Sequence, residues 1–345
     1  YAYFSSFASS WVEHARRFST MAIDRFGLGA QSRVIEVASN DGYLLKHFVA
    51  AGIPCLGIEP AANVAAVAEA AGVPTEVRFF GTQAARDLVA RGLAADLIVG
   101  NNVLAHVPDL NDFIAGLAIL LGPEGVISIE VPHLLQLIQE VQFDTIYHEH
   151  FSYFSLLVLE RAFAAHGLEV FDLEQLPTHG GSLRLFAGHA GAGHQATGDT
   201  LHRVRSLERQ ARLDRPEGYA GFATRVKAVC DGLDRFLDQA KVAGRTVVGY
   251  GAAAKGNTLL NVAGVKDDRI AYVVDRSPHK QGLLLPGSHL RIEAPEQVAA
   301  TRPDYLLILA WNLAEEIAGQ MRQIGAWGGR FAVAVPALRV WAPPS

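Results

Sequence analysis

The chain has 345 residues, half of them hydrophobic and 19% charged, a composition that builds packed cores and excludes a mainly disordered chain. Lys plus Arg number 30 against 35 Asp plus Glu, a net charge of −5, so no basic excess points to nucleic acid. Two lone cysteines, Cys55 and Cys230, exclude a disulfide framework and the paired thiolates of a structural zinc site. The length suggests about two domains. Ser9 to Phe26 has helical spacing, with Trp11, Ala15, Phe18, Ala22 and Phe26 recurring at three and four, and Gly27 and Gly29 end it. Short apolar runs then alternate with amphipathic stretches. Strands are expected at Arg33–Val37, Cys55–Ile58, Val77–Phe80, Asp96–Val99 and Gly125–Val131, and helices at Gly42–Ala51, Asn63–Ala71, Gln83–Arg91 and Leu110–Leu121. Repeated βα units predict a parallel sheet with helices on both faces.

From about Leu201 to Val242, Arg, Glu, Asp and Leu recur at helical spacing and predict one or two long helices. A second alternation follows. Strands are expected at Thr246–Gly249, Ile270–Val274, Tyr305–Ala310 and Phe331–Val335, and helices at Ala253–Val262 and Leu313–Ile324. The predicted fold class is therefore α/β, two doubly wound Rossmann-like domains joined by helices. The divisions are residues 1–30 as an aromatic cover, 31–200 and 244–345 as the two domains, and 201–243 as a connector.

Four segments carry chemistry. The first runs from strand Val34–Val37 into the polar turn Ser39-Asn40-Asp41-Gly42, and Glu59-Pro60 ends the next strand, 18 residues after Asp41. An acid at that strand end accepts ribose hydroxyls. The turn lacks the G-x-G-x-x-G that admits a pyrophosphate, so it suits a nucleoside without phosphates. S-adenosylmethionine fits, with Asp41 toward its amino group and Glu59 toward its ribose. Asn101 and Asn102 follow the fourth strand at the same sheet edge and complete the expected cofactor side, and His106 faces the space beyond it. The second segment, Tyr147-His148-Glu149-His150, is the densest polar constellation in the chain. It offers only two ligands on one face to a metal, so general acid–base work is the better reading. Tyr147 suits a developing oxyanion and Glu149 an imidazole or a substrate amine or hydroxyl. Spacing does not decide whether His148 or His150 takes the proton. The third, His179-Gly180-Gly181-Ser182-Leu183-Arg184, is a Gly-rich turn before a strand that either lines the same cleft or makes a plain hairpin.

The fourth segment, Gly249-Tyr250-Gly251-Ala252-Ala253-Ala254, satisfies G-x-G-x-x-A, and Asp275 ends the next strand 24 residues after Gly251. On motif logic this is a dinucleotide site, and an NAD-dependent sugar-nucleotide oxidoreductase is the alternative function. A non-catalytic nucleotide-sugar binding protein is a third. Lys255 and Asn257 instead suit a diphosphate at the helix start. Trp311 could line the base and sugar side.

Taken together, these segments resemble the nucleotide-sugar C-methyltransferases, which make branched deoxysugars for natural products. The resemblance covers nearly the whole chain, and Tyr147-His148-Glu149-His150 is its specific part. It implies a class I methyltransferase first domain and S-adenosylmethionine-dependent methylation at C3 of a dTDP-4-keto-6-deoxysugar, with inversion there. It implies His150 as general base, with Tyr147, Glu149 and His106 around the sugar and the second domain holding the nucleotide. Tyr1 and Tyr3 match an aromatic element over the active site, which the resemblance puts in the cleft between the halves. Tyr3, His148, His179, Ser182, Arg184, Tyr250, Lys255, Asn257 and Trp311 are the expected substrate contacts. The family's usual four-cysteine zinc module has no counterpart in this sequence, so no metal is expected. With Tyr1 as first residue, that suggests a cysteine-rich module left out of this chain. No apolar run approaches the roughly 18 residues that cross a bilayer, and no signal segment opens the chain. The expectation is a cytoplasmic enzyme with a small-molecule dTDP-sugar partner, neither nucleic acid nor membrane, and a monomer in preference to an oligomer.

Overall fold

In the computed structural model, which describes residues 4–343, the amphipathic stretch Ser9–Phe26 is one helix, α1, ended by Gly27 in the left-handed conformation at φ 61°. The chain packs into two compact units. Among the described residues, the first takes 4–134 together with 149–177 and 181–214, and the second takes 135–148, 178–180 and 215–343.

The first unit contains strands β1 (Val34–Val37), β2 (Cys55–Ile58), β3 (Thr75–Glu76), β4 (Ala95–Asn101), β5 (Leu121–Pro132), β6 (Leu168–Leu176) and β7 (Ser182–His189). They form one sheet in the order β3-β2-β1-β4-β5-β7-β6, parallel except for β7, which runs antiparallel to both neighbours. Helices α2 (Leu45–Ala50), α3 (Ala62–Ala70), α4 (Thr82–Ala90), α5 (Leu110–Leu120), α7 (Leu156–Ala164) and α8 (Thr200–Gln210) belong to it, and α6 (Leu134–Gln139) begins at its edge. Val34, Ile35, Leu97, Ile98 and Val99 are fully buried because both sheet faces are covered. The second unit contains α9 (Phe222–Val242), β8 (Val247–Tyr250), α10 (Ala254–Val262), β9 (Val273–Val274), β10 (Ile292–Glu293), α11 (Gln297–Thr301), β11 (Tyr305–Ile308), α12 (Ala314–Gln320), β12 (Arg330–Val333) and β13 (Arg339–Trp341). Its sheet order, β10-β9-β8-β11-β12-β13, is the doubly wound dinucleotide-fold order with an antiparallel last strand. The expected fold class is borne out in both units.

Several local expectations differ. Val77–Phe80 is not a strand: β3 stops at Glu76, and Val77 and Phe79 project into solvent, 54% and 83% exposed. Helix α2 starts at Leu45, so two residues of turn separate it from Gly42. Gly42 is required by its φ of 76° and by packing, since a Cβ there would lie 3.0 Å from Val73. The stretch 201–243 divides, with α8 against β6 in the first unit and α9 in the second. The expected helix over Leu313–Ile324 ends at Gln320 and passes into a 3-10 turn, Arg322–Trp327. Among the described residues, no helix is long and apolar enough to cross a membrane.

Candidate active site

In the first unit, connections run to one side of β1 through β2 and β3, and to the other through β4 and β5. The carboxyl ends of β1 and β4 are therefore the switch point where such sheets bind ligands. The turn after β1 is tightly folded there. Ala38 (φ 57°), Asn40 (φ 51°) and Gly42 (φ 76°) alternate in the left-handed region, which costs of order 1 kcal/mol at a residue with a side chain. Glu59, buried at the end of β2, braces the turn: its carboxylate accepts the Asn40 N–H at 3.0 Å and the Ala61 N–H at 2.8 Å. Pro60 beside it is exposed.

Ser39 and Asp41 are buried, and the Ser39 Oγ and Asp41 Oδ1 atoms find no hydrogen-bond partner among the described residues. Asn101, the last residue of β4, donates to the Tyr43 hydroxyl at 3.4 Å, while its Oδ1 is likewise unmatched. Buried polar atoms are seldom left unmatched, so each of these calls for a partner, a ligand or a water. Asn102 (φ 53°) donates its N–H to the Glu130 carbonyl at 2.8 Å. The other carboxylate oxygen of Asp41 accepts from the Ser6 N–H and Oγ at 3.0 and 2.5 Å, and the Asn40 side chain accepts the Ser5 N–H at 2.8 Å. The residues before α1 thus lie on this turn. Tyr1 and Tyr3, expected over the site, lie outside the described residues.

Glu36 was missed by sequence reasoning. It is buried in the middle of β1, and burial pushes its carboxyl well above the usual range; the Tyr43 hydroxyl opposes, and Asp41 and Glu59 add to the rise. One acid inside an otherwise apolar strand, Val34-Ile35-Glu36-Val37, was the available signal.

His106 closes a short 3-10 turn, Leu104–His106, after β4. The Ala105 carbonyl accepts the Phe151 N–H at 2.8 Å, which brings His150 beside it. The rings of His106 and His150 meet edge to face, centroids 4.8 Å apart, and Tyr153 meets His150 in the same way at 5.8 Å. His106 keeps solvent contact, yet the protein atoms around it desolvate the ring and hold its pKa below the ordinary value, against the raising effect of the Glu149 main chain and charge. Glu149 is exposed. The division between the units falls within the motif, so Tyr147 and exposed His148 belong to the second unit.

Arg184 is not a free substrate ligand. It lies on β7 directly between Glu130 on β5 and Glu174 on β6, 2.9 Å from each carboxylate, and is 4% exposed. Ser182, at the start of β7, is also buried.

In the second unit, the Gly251 turn follows β8 as expected. Asp275 accepts the Ala252 and Ser277 N–H groups, each at 2.8 Å, and Lys280 lies 3.6 Å away, so this carboxylate braces its own loop. Lys255 donates to Asn312 at 2.9 Å and sits 4.9 Å over the Trp311 ring, whose Nε1 donates to Asp144 at 2.6 Å. Burial raises the Asp144 pKa to about 6, opposed by Lys255 and the indole N–H; burial lowers that of Lys255, opposed by Asp144. Asn257 stands on the same helix with a buried, unmatched Oδ1. Tyr250 points elsewhere: its ring is buried in the core and its hydroxyl reaches Gln320 at 3.5 Å. His179 (φ 55°) lies in the turn Thr178–Gly180. A Cβ on Gly180 (φ 88°) would lie 2.4 Å from Trp311 and 2.8 Å from Gln142, whose amide donates to the Gly180 carbonyl. Gly180→Ala should cost roughly 1–3 kcal/mol of stability, read from urea unfolding, because overpacking and backbone strain act together. Unchanged stability would mean that Trp311 is not locked in place by this turn.

Two family profiles match the chain, one described as a methyltransferase domain over residues 11–173 and one as a C-methyltransferase C-terminal domain over residues 177–336. The C-methyltransferase NovU of Streptomyces niveus is 38% identical over 340 residues, covering 99% of this chain and 81% of that protein. Among solved structures, the magnesium protoporphyrin IX methyltransferase ChlM of Synechocystis PCC 6803 with bound SAH is similar over 52% of this chain and 83% of its own, at 13% identity and a TM-score of 0.42. An S-adenosylmethionine-dependent methyltransferase of Clostridium acetobutylicum is similar over 52% and 92%, at 9% identity and a TM-score of 0.42.

Proposed function

This chain belongs to the C-methyltransferase family, and from that premise we propose that it methylates C3 of a dTDP-4-keto-6-deoxysugar with S-adenosylmethionine as donor. The observation that carries the reading is the meeting, at one sheet edge, of unmatched buried polar atoms with the His106–His150 pair. The donor set fits the cofactor. Asp41 offers a carboxylate oxygen to its amino group, Glu59 retains lone pairs for ribose hydroxyls, and Ser39, Asn40, Gly42, Pro60, Asn101 and Asn102 line the same turns. When bound, S-adenosylmethionine supplies a methyl group already activated by sulfonium.

The chain's task is then to make a carbon nucleophile. The C4 ketone acidifies the C3 proton, His150 removes it, and the electron pair passes into an enolate that takes the methyl group. His106, whose pKa its surroundings lower, can donate an N–H toward the developing oxyanion, a role shared with Tyr147 and Glu149. In the second unit, Lys255, Asn257 and the start of α10 are the proposed hold on the diphosphate, with His148 and His179 as further substrate contacts and Trp311 fixed behind Lys255.

Ligand linkage tests the cofactor reading. S-adenosylhomocysteine at a hundred times its Kd should stabilise the protein by about 2.7 kcal/mol and raise the melting temperature by several degrees. NAD should leave it unchanged. Stabilisation by NAD alone would end the methyl-transfer reading of this site.

A further inference from the structure

Glu208 lies in α8 and has no exposed surface. A buried carboxylate costs several kcal/mol unless donors surround it. Here three do: the N–H of Leu156 at 2.7 Å, the N–H of Leu157 at 2.9 Å and Nε2 of His133 at 2.8 Å. Leu156 and Leu157 open α7, where main-chain N–H groups have no partner inside the helix and a negative charge is favoured. Ser155 takes the next N–H, that of Val158, at 3.3 Å. Glu208 therefore fixes where α7 begins and binds that point to His133, just past the end of β5.

The position of that point matters for the residues before it. The segment between His150 and α7 is held at two places. Upstream, the Phe151 N–H donates to Ala105 beside His106; downstream, the Phe154 carbonyl accepts the Leu134 N–H at 2.9 Å and Glu208 takes Leu156 and Leu157. Tyr153 lies between the two anchors, and its ring meets His150 edge to face at 5.8 Å, as the His106 ring does at 4.8 Å. We propose that Glu208 is a positioning residue for His150, acting through the start of α7 and through Tyr153. The proposal rests on the reading of His150 as base. Its sequence context, Leu207-Glu208-Arg209-Gln210, looks like a solvated helix surface, and its partners lie 51, 52 and 75 residues away.

The test compares Glu208→Gln with the parent protein in three measurements: thermal unfolding, kcat and KM with a dTDP-4-keto-6-deoxysugar, and the His150 ring signal in a histidine-labelled NMR spectrum. His150→Asn assigns that signal by removing it. The expected result is a fall in kcat of about 10- to 100-fold, the size of effect an ångström of misplacement produces, with KM and S-adenosylhomocysteine affinity within about twofold and a displaced His150 signal. His133→Leu, which removes one donor and keeps the carboxylate, should move kcat and the signal the same way, and His133→Gln, which restores a donor, should recover both. A lowered melting temperature with kcat per folded molecule and the His150 signal unchanged, in Glu208→Gln or in His133→Leu where the former does not fold, overturns the proposal. Full turnover in His150→Asn instead removes the base assignment, while the NMR comparison still reports on Glu208 independently.

Discussion

His150→Asn should lose turnover by a factor of roughly 10² to 10⁴, the range that a positioned general base contributes. Asparagine keeps most of the volume and a polar edge toward His106 and Tyr153, so the 4.8 and 5.8 Å ring contacts are replaced without opening the fold. It carries no group able to take a proton near neutral pH. On the proposed reading cofactor binding uses the turns after β1, β2 and β4, and it should survive. Two measurements separate chemistry from binding. S-adenosylhomocysteine should bind the variant at full stoichiometry. In D2O with no methyl donor, the parent should exchange the C3 proton of the keto-sugar for deuterium, and the variant should not. Exchange at the parent rate would take the base role away from His150 and return it to the residues around it. His148 is then the first to examine, because spacing alone left both histidines open.

Legibility in the sequence followed the range of the interactions. Helix α1 was readable to its ends because its period and its terminating Gly27 are local signals. Strand β2 and the starts of α5 and β11 were readable for the same reason. Strand β6, α7, β10, α11 and β13 drew no expectation; for β7 the Gly-rich turn before it predicted a strand, with a hairpin as one alternative, and the antiparallel β6–β7 pair makes that hairpin. In Leu168–Leu176, Glu169, Asp172, Glu174 and Gln175 interrupt the apolar residues without a clean alternation, and only the pairing with β7 explains them. At the site, residue types were legible and partners were not. Asp41 and Glu59 were read as ligand-facing acids, but each also braces main chain, Asp41 at Ser6 and Glu59 at Asn40 and Ala61. Trp311 was read as a substrate contact. Its indole N–H also donates to Asp144, 167 residues away in the chain, and Lys255 lies over its ring. No periodicity or spacing rule reaches that far.

Arg184 gives the second large expected effect, and the stake is whether it binds substrate or holds the sheet. Its guanidinium bridges carboxylates on the two flanking strands, Nη2 to Glu130 and Nη1 to Glu174, and lies 4.6 Å over the Phe18 ring of α1. His14 of the same helix approaches both Arg184 Nη2 and the Glu130 carboxylate at 2.8 Å. Glu130 is fully buried, so removing the arginine leaves a carboxylate in the interior without its principal countercharge. Breaking a buried pair in this way costs about 3–5 kcal/mol, whereas a well-packed apolar replacement of the whole pair can cost little. Arg184→Met keeps the stem's packing and removes the charge. The expected outcome is a melting temperature lower by about 10 °C, from the usual 2–4 °C per kcal/mol in a unit of this size. Adding Glu130→Gln should recover part of the loss, because the stranded charge goes with it; the double-mutant cycle then gives a coupling energy in the range of contacting residues. A substrate ligand behaves differently, with KM rising, the melting temperature holding, and Glu130→Gln bringing no rescue. The cross-strand register already favours the first pattern. An arginine set between two acids on adjacent strands, with an aromatic ring of α1 beside it, has both Nη atoms engaged and Nε alone unmatched, and its charge serves to seat α1 on the sheet whose edge carries the candidate active site.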